Sequence, residues 1–140
     1  MSHAEHDARP LVILVVEDDG PVRRAIVTLL REQGWLVFEA VTGEQAVAFL
    51  DRVHVIDLIF TDLRLGGELN GWDVGEAFYA ACSELPVIYG SGDTIEPPRP
   101  VPGSLFLHKP YRFDDLLEAC ARLCAGRPNR GGAACADRHA

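Results

Sequence analysis

Between residues 11 and 125 the chain alternates short, nearly unbroken apolar runs with longer segments whose apolar residues recur at helical spacing. Runs of the first kind belong to strands covered on both faces of a parallel sheet, and segments of the second kind to amphipathic helices. The first strand is Val12 to Val16 in "LVILVVEDDG", and it stops at Glu17, Asp18 and Asp19. Gly20-Pro21 then opens a helix with Val22, Ile26, Leu29 and Leu30 on its apolar face, closed by Gly34. "WLVFEA" (35–40) predicts a second strand, and Thr42 with Gln45 predicts a capping box for a helix carrying Ala46, Val47, Phe49 and Leu50. A third strand, roughly Leu58 to Thr61, runs into Asp62; "RLGGELNG" follows as loop and "WDVGEAFYAAC" as a third helix. "LPVIYGSGD" supplies a fourth strand and a Gly/Ser turn, "SLFLHKPY" a fifth strand, and "DDLLEACARLCAG" a last helix from Asp114 to Gly126.

Strands and helices in alternation predict an α/β domain, a five-stranded parallel sheet with right-handed crossovers and helices on both faces. In open sheets of this kind ligands bind beyond the carboxyl ends of the strands. Those ends carry Glu17 and Asp18, Asp62, Ser91 and Lys109, which should converge on one rim. Like charges crowded at a strand tip repel and raise each other's pKa, and a cation relieves that. Carboxylate oxygens suit Mg²⁺, which is commonly held by one or two carboxylates with waters and phosphate oxygens. Such an ion, with Lys109 as a second positive charge and Ser91 as a hydroxyl donor, would let a phosphoryl group approach the acids. A central carboxylate held in line could then become an acyl phosphate.

Composition narrows the classes. With 140 residues, 48% hydrophobic and 24% charged, the chain fits one domain, read as 10–125 between disordered ends at 1–9 and 126–140. A net charge of −8 argues against direct nucleic-acid binding. No apolar stretch is long enough to span a membrane and "MSHAEHDARP" lacks a secretory core, so a cytoplasmic location is expected. Cys82, Cys120, Cys124 and Cys135 show no metal-ligand spacing, and reduced thiols are expected. His54 and His108 read as surface or packing residues.

Taken in order, "ILVVEDDGPVRR", "LIFTDLRL", "NGW", "PVIYGSGD" and "FLHKPY" resemble the receiver domain of two-component response regulators, the CheY-like group. The likeness covers Pro10 to Ala125, with Asp18 and Asp62 spaced 44 positions apart as in that family. It implies a three-layer, flavodoxin-like sheet of order 2-1-3-4-5. It also implies that Asp62 accepts phosphate from a phosphohistidine on a sensor histidine kinase or phosphotransfer protein. Asp18, Asp62 and the backbone carbonyl of Arg64, with Glu17 directly or through water, would hold Mg²⁺ (or Mn²⁺). Ser91 and Lys109 would engage the phosphoryl oxygens, Phe106 would be the aromatic switch, and Lys109-Pro110 would be a cis peptide.

One stretch departs from the family. Where a fourth helix is usual, this chain has "DTIEPPRPVPGSL", and prolines at 97, 98, 100 and 102 exclude a helix. An extended connector is expected, with one turn near Asp93 to Glu96, as in a subset of stand-alone receivers. Phosphorylation would then order residues 92–104 through Ser91. The function implied is a single-domain, non-enzymatic phosphorelay protein that signals to a downstream protein, with homodimerisation left open. The alternatives are a receiver-like binding module that ignores phosphorylation, and a small phosphohydrolase, for which Arg64 stands where a general acid would be wanted.

Overall fold

The computed structural model describes residues 9–92 and 95–125. Strands β1 (Val12–Val16), β2 (Leu36–Ala40), β3 (Leu58–Asp62), β4 (Val87–Ser91) and β5 (Leu105–His108) form one parallel sheet in the order β2-β1-β3-β4-β5. Helices α1 (Gly20–Glu32), α2 (Gly43–Val47) and α3 (Gly71–Ala81) follow β1, β2 and β3, and α4 (Phe113–Cys124) follows β5. Side chains alternate across the pleat and feed two cores. Leu14, Val16, Ile59, Val87 and Tyr89 pack with Trp72, Val74 and Phe78 of α3 on one face. Ile13, Val15, Leu58, Phe60 and Ile88 pack with Ile26, Val27 and Leu30 of α1 and Leu116, Ala119 and Cys120 of α4 on the other. Each buried Leu or Ile contributes about 1.5–3 kcal/mol, so the doubly covered central strands anchor the sheet whose tips bear the site.

The local signals act through identifiable bonds. Asp19 caps α1 by accepting the Val22 N–H at 3.0 Å, and Gly34 leaves the helix with φ 87°. Thr42 Oγ1 accepts the Gln45 N–H at 3.0 Å, but the Gln45 side chain returns to the Val41 N–H at 2.8 Å, one residue before the cap. That helix is shorter than its pattern suggests. Beyond Val47 the backbone tightens into a 3₁₀ segment, Ala48–Val55, broken at Arg52, whose φ −114° and ψ 17° are not helical. The last helix begins one residue before Asp114, at Phe113, and β3 extends to include Asp62 itself. The helix end expected at Gly126, the disorder expected at 1–9 (apart from Arg9) and at 126–140, and part of the turn expected near Asp93 lie outside the described residues. Among the described residues Cys120 and Cys124 are free thiols, as expected for them, and Cys135 lies outside the described residues.

No helix forms in the described part of the connector between β4 and β5, and the Lys109-Pro110 bond is cis. The connector is held at several points. Ile95 O accepts the Trp72 indole N–H at 2.8 Å, and the Tyr89 hydroxyl accepts the Val101 N–H at 3.2 Å. Arg99 reaches Asp73 at 3.0 Å and Glu76 at 2.9 Å on α3. These pairs are partly solvated, so Arg99→Ala should change global stability by no more than about 1 kcal/mol. It should nonetheless speed hydrogen exchange across 95–101, measured by mass spectrometry; unchanged exchange there would show that the ion pairs do not hold the strap.

Candidate functional site

Three strand tips build the site. β1 runs straight into Glu17, which is 1% exposed and is steered by its backbone: its N–H donates to Ala40 O at 3.0 Å and its carbonyl accepts from Arg23 at 2.9 Å. Arg23 is in turn paired with Glu39 at 3.1 Å, so a guanidinium from α1 ties the β1–α1 turn to β2. Asp18 follows at the exposed rim. Asp62, 6% exposed, ends β3 beside Gly90 of β4, and its Oδ1 accepts the Leu63 N–H at 2.8 Å. Ligating oxygens of Glu17, Asp18 and Asp62 lie within 4.8 Å of one another.

Lys109, one residue past β5, points its ammonium between two of these acids, 3.4 Å from Asp62 Oδ2 and 3.6 Å from Glu17 Oε1. Its backbone N–H bonds Ser91 O at 3.0 Å, which fixes the strand-five turn to the end of β4. Ser91 itself is buried, in register with His108. Phe106 is half-buried beneath the connector, its ring 6.3 Å from Trp72 and 4.5 Å from His108, so it sits with the connector and not among the acids. Arg64 is exposed at the start of the loop after Asp62.

The electrostatics follow from burial. Glu17 is pushed up to about 7, chiefly because burial disfavours its charge and secondarily because the Asp62 carboxylate repels it. For Lys109 burial opposes the charge, but Asp62 and Glu17 outweigh it and raise its pKa above the ordinary value. Tyr111, against Phe60 at 6.1 Å, has its phenol pKa raised by burial and then by the Glu17 and Asp62 charges. Glu17 Oε1 is buried with no hydrogen bond and only the longer ion pair to Lys109 at 3.6 Å, which leaves its desolvation incompletely compensated. A hard divalent cation among three carboxylates satisfies that oxygen and cancels the repulsion, so the donor set fits Mg²⁺.

The rim expected from the strand ends is therefore present, with Glu17, Asp18, Asp62 and Lys109 gathered and Ser91 at the neighbouring tip. Sequence reading overlooked Arg23 and Tyr111. Only the quoted "VRR" and "KPY" contained them, and nothing in their spacing marked a role. The family model described as "Response regulator receiver domain" matches residues 13–121. The chain belongs to that family.

Other receivers resemble it along most of its length. Transcriptional regulatory protein PdtaR of Mycobacterium tuberculosis is 29% identical over 117 residues, 80% of this chain and 56% of that protein. Nodulation protein W of Bradyrhizobium diazoefficiens is 32% identical over 123 residues, 84% of this chain and 52% of that one. The chain thus spans about half the length of these curated relatives. A response regulator receiver protein from Sinorhizobium medicae WSM419 superimposes with a TM-score of 0.79 at 26% identity, covering 85% of this chain and 98% of the solved one. Receivers operate in two-component signalling, where phosphorylation and magnesium binding are general and histidine kinases or phosphotransfer proteins are the usual partners. Among the described residues no helix is long and apolar enough to cross a membrane.

Proposed function

We propose that Asp62 accepts a phosphoryl group from a phosphohistidine of a sensor histidine kinase or phosphotransfer protein, and that the phosphorylated receiver signals through contacts with another protein. The observation that carries this reading is one lysine bridging two buried carboxylates, Glu17 and Asp62, with Asp18 within ligand distance of both. In the transfer an Asp62 carboxylate oxygen forms the new O–P bond while the P–N bond breaks and leaves its electron pair on the imidazole nitrogen. Glu17, Asp18, Asp62 and the Arg64 backbone carbonyl would hold Mg²⁺ (or Mn²⁺), which when bound supplies the positive charge that offsets the phosphoryl oxygens. Lys109 provides a fixed second cation and Ser91 a hydroxyl donor, both held by the β4–β5 register. The guanidinium at position 64 is no general acid, so the chemistry is acceptance and loss of one phosphoryl group rather than turnover of an ester.

An apolar groove of about 590 Å³ opens beside Lys109, lined by Pro21, Val22, Pro110 and Phe113. Because it adjoins the acceptor, it is the surface we assign to the phosphodonor. Activation relayed through Ser91 would act on a connector already tethered to α3. Titration with Mg²⁺ and beryllofluoride, followed by tryptophan fluorescence, tests the site. Saturable, Mg²⁺-dependent binding is expected, and a protein indifferent to both reagents would refute the proposal.

A further inference from the structure

The eight residues after Asp62 form a loop closed at its base. Leu63 N–H donates to Asp62 Oδ1 at 2.8 Å, and Leu63 O accepts from Gly71 N–H at 2.8 Å, where α3 begins. The far side of this loop is held by Glu44, a residue from the first turn of α2. Its Oε2 accepts the Glu68 N–H at 2.9 Å and the Leu69 N–H at 3.3 Å. Its other oxygen lies over Gly67 so closely that a Cβ there would overlap it, with the carboxyl carbon only 2.8 Å away. Next to it Gly43 packs on Leu69, and a Cβ at 43 would stand 2.7 Å from the Leu69 Cβ. The Glu44 carboxyl is held below the usual carboxylate range by its own backbone N–H first and then by that of Glu68. It is ionised at neutral pH, and hydrogen bonds to an ionised acceptor are the stronger kind.

We propose that Glu44 is a positioning residue for the phosphoacceptor loop: its carboxylate clasps the Glu68 and Leu69 amides over a bare Gly67 and so restrains the loop whose Arg64 carbonyl would serve as a metal ligand. The inference rests on Asp62 as the phosphoacceptor and adds a residue from a different element, 18 positions upstream, that touches neither phosphate nor metal. A loop of this length with an untied far side samples many conformers, and each one that misplaces the Arg64 carbonyl subtracts from ion and phosphoryl affinity. Residues that orient a ligand without being one are commonly worth about tenfold or more in metal affinity.

The test uses the full chain with E44A, E44Q, G67A and the E44A/G67A pair, read by amide exchange without metal and by Mg²⁺-dependent beryllofluoride affinity. E44A should speed exchange at Glu68 and Leu69 and weaken beryllofluoride binding about tenfold. E44Q should recover most of the affinity, because one amide oxygen still accepts both N–H groups, whereas a role in charge alone would give no recovery. G67A should weaken binding in the wild-type background, where its methyl meets the carboxylate, and add nothing once Glu44 is gone. Equal affinity in E44A and wild type, unchanged exchange at the two amides, or a G67A penalty that persists in the E44A background would each overturn the proposal alone. Wild-type protein that does not take up beryllofluoride would overturn the phosphoacceptor reading and this one with it.

Discussion

Asp62→Asn is expected to reduce phosphoryl uptake from a small acyl-phosphate donor with Mg²⁺ to nothing detectable, read as the loss of the phosphorylated species in an intact-mass spectrum. The carboxamide keeps an oxygen that can accept the Leu63 N–H, now 2.8 Å from Oδ1, so the loop and strand should keep their places. What it lacks is the anionic oxygen pair proposed to form the O–P bond, of which Oδ2 faces Lys109 at 3.4 Å. Glu17 and Asp18 are not expected to substitute. Glu17 is held against Lys109 beneath the rim, and Asp18 is exposed to solvent. Phosphoryl uptake that survives in Asp62→Asn would move the acceptor to another side chain. A downstream response that survives in a variant unable to take phosphate would favour a constitutive binding module instead.

Gly71→Ala should cost about 3 kcal/mol, at the upper end for overpacking, and should loosen the site as well. A Cβ at 71 would overlap the Asp62 carbonyl oxygen and come within 2.8 Å of the Leu63 Cα and 3.0 Å of the Asp62 carbonyl carbon. All three are backbone atoms of the segment that carries the acceptor, so no side chain can swing aside to make room. Alanine's helix propensity returns about 1 kcal/mol, which is too little to offset the clash. Urea unfolding should show a lower midpoint at unchanged slope. Gly66→Ala is the matched control, since nothing lies within 4 Å of its would-be Cβ. Were both variants equally stable, α3 would not be seated on the acceptor segment as described.

Much of this site was legible because its chemistry sits where local patterns end. Each of β1, β3 and β4 is a five-residue run that buries nearly every side chain, and a polar group directly after or at the end of such a run is displayed at the sheet's edge. Parallel connections then bring the ends together on one side, so Glu17, Asp18, Asp62, Ser91 and Lys109 could be assigned to a common rim from alternation alone. Prolines 97, 98, 100 and 102 forbade a helix in the same local way, through missing donors. The second helix was overestimated for the converse reason. Phe49 and Leu50 keep helical spacing, but the backbone tightens to 3₁₀ beyond Val47, and spacing does not distinguish the two over one turn.

Sequence by itself determined the layers, the acidic rim and its cation, because those follow from periodicities of two and 3.6 residues and from which residue closes each run. Only the tertiary structure decided what holds the rim in place: Arg23 on the Glu17 carbonyl and Glu39, Arg99 on α3, and Glu44 on the Glu68 and Leu69 amides. The physical reason is that those groups are polar, partly exposed and mostly 16 to 26 positions from their partners. A burial pattern marks which side chains leave water, and a charged side chain that stays near water leaves no such mark until packing sets a particular amide or carboxylate beside it.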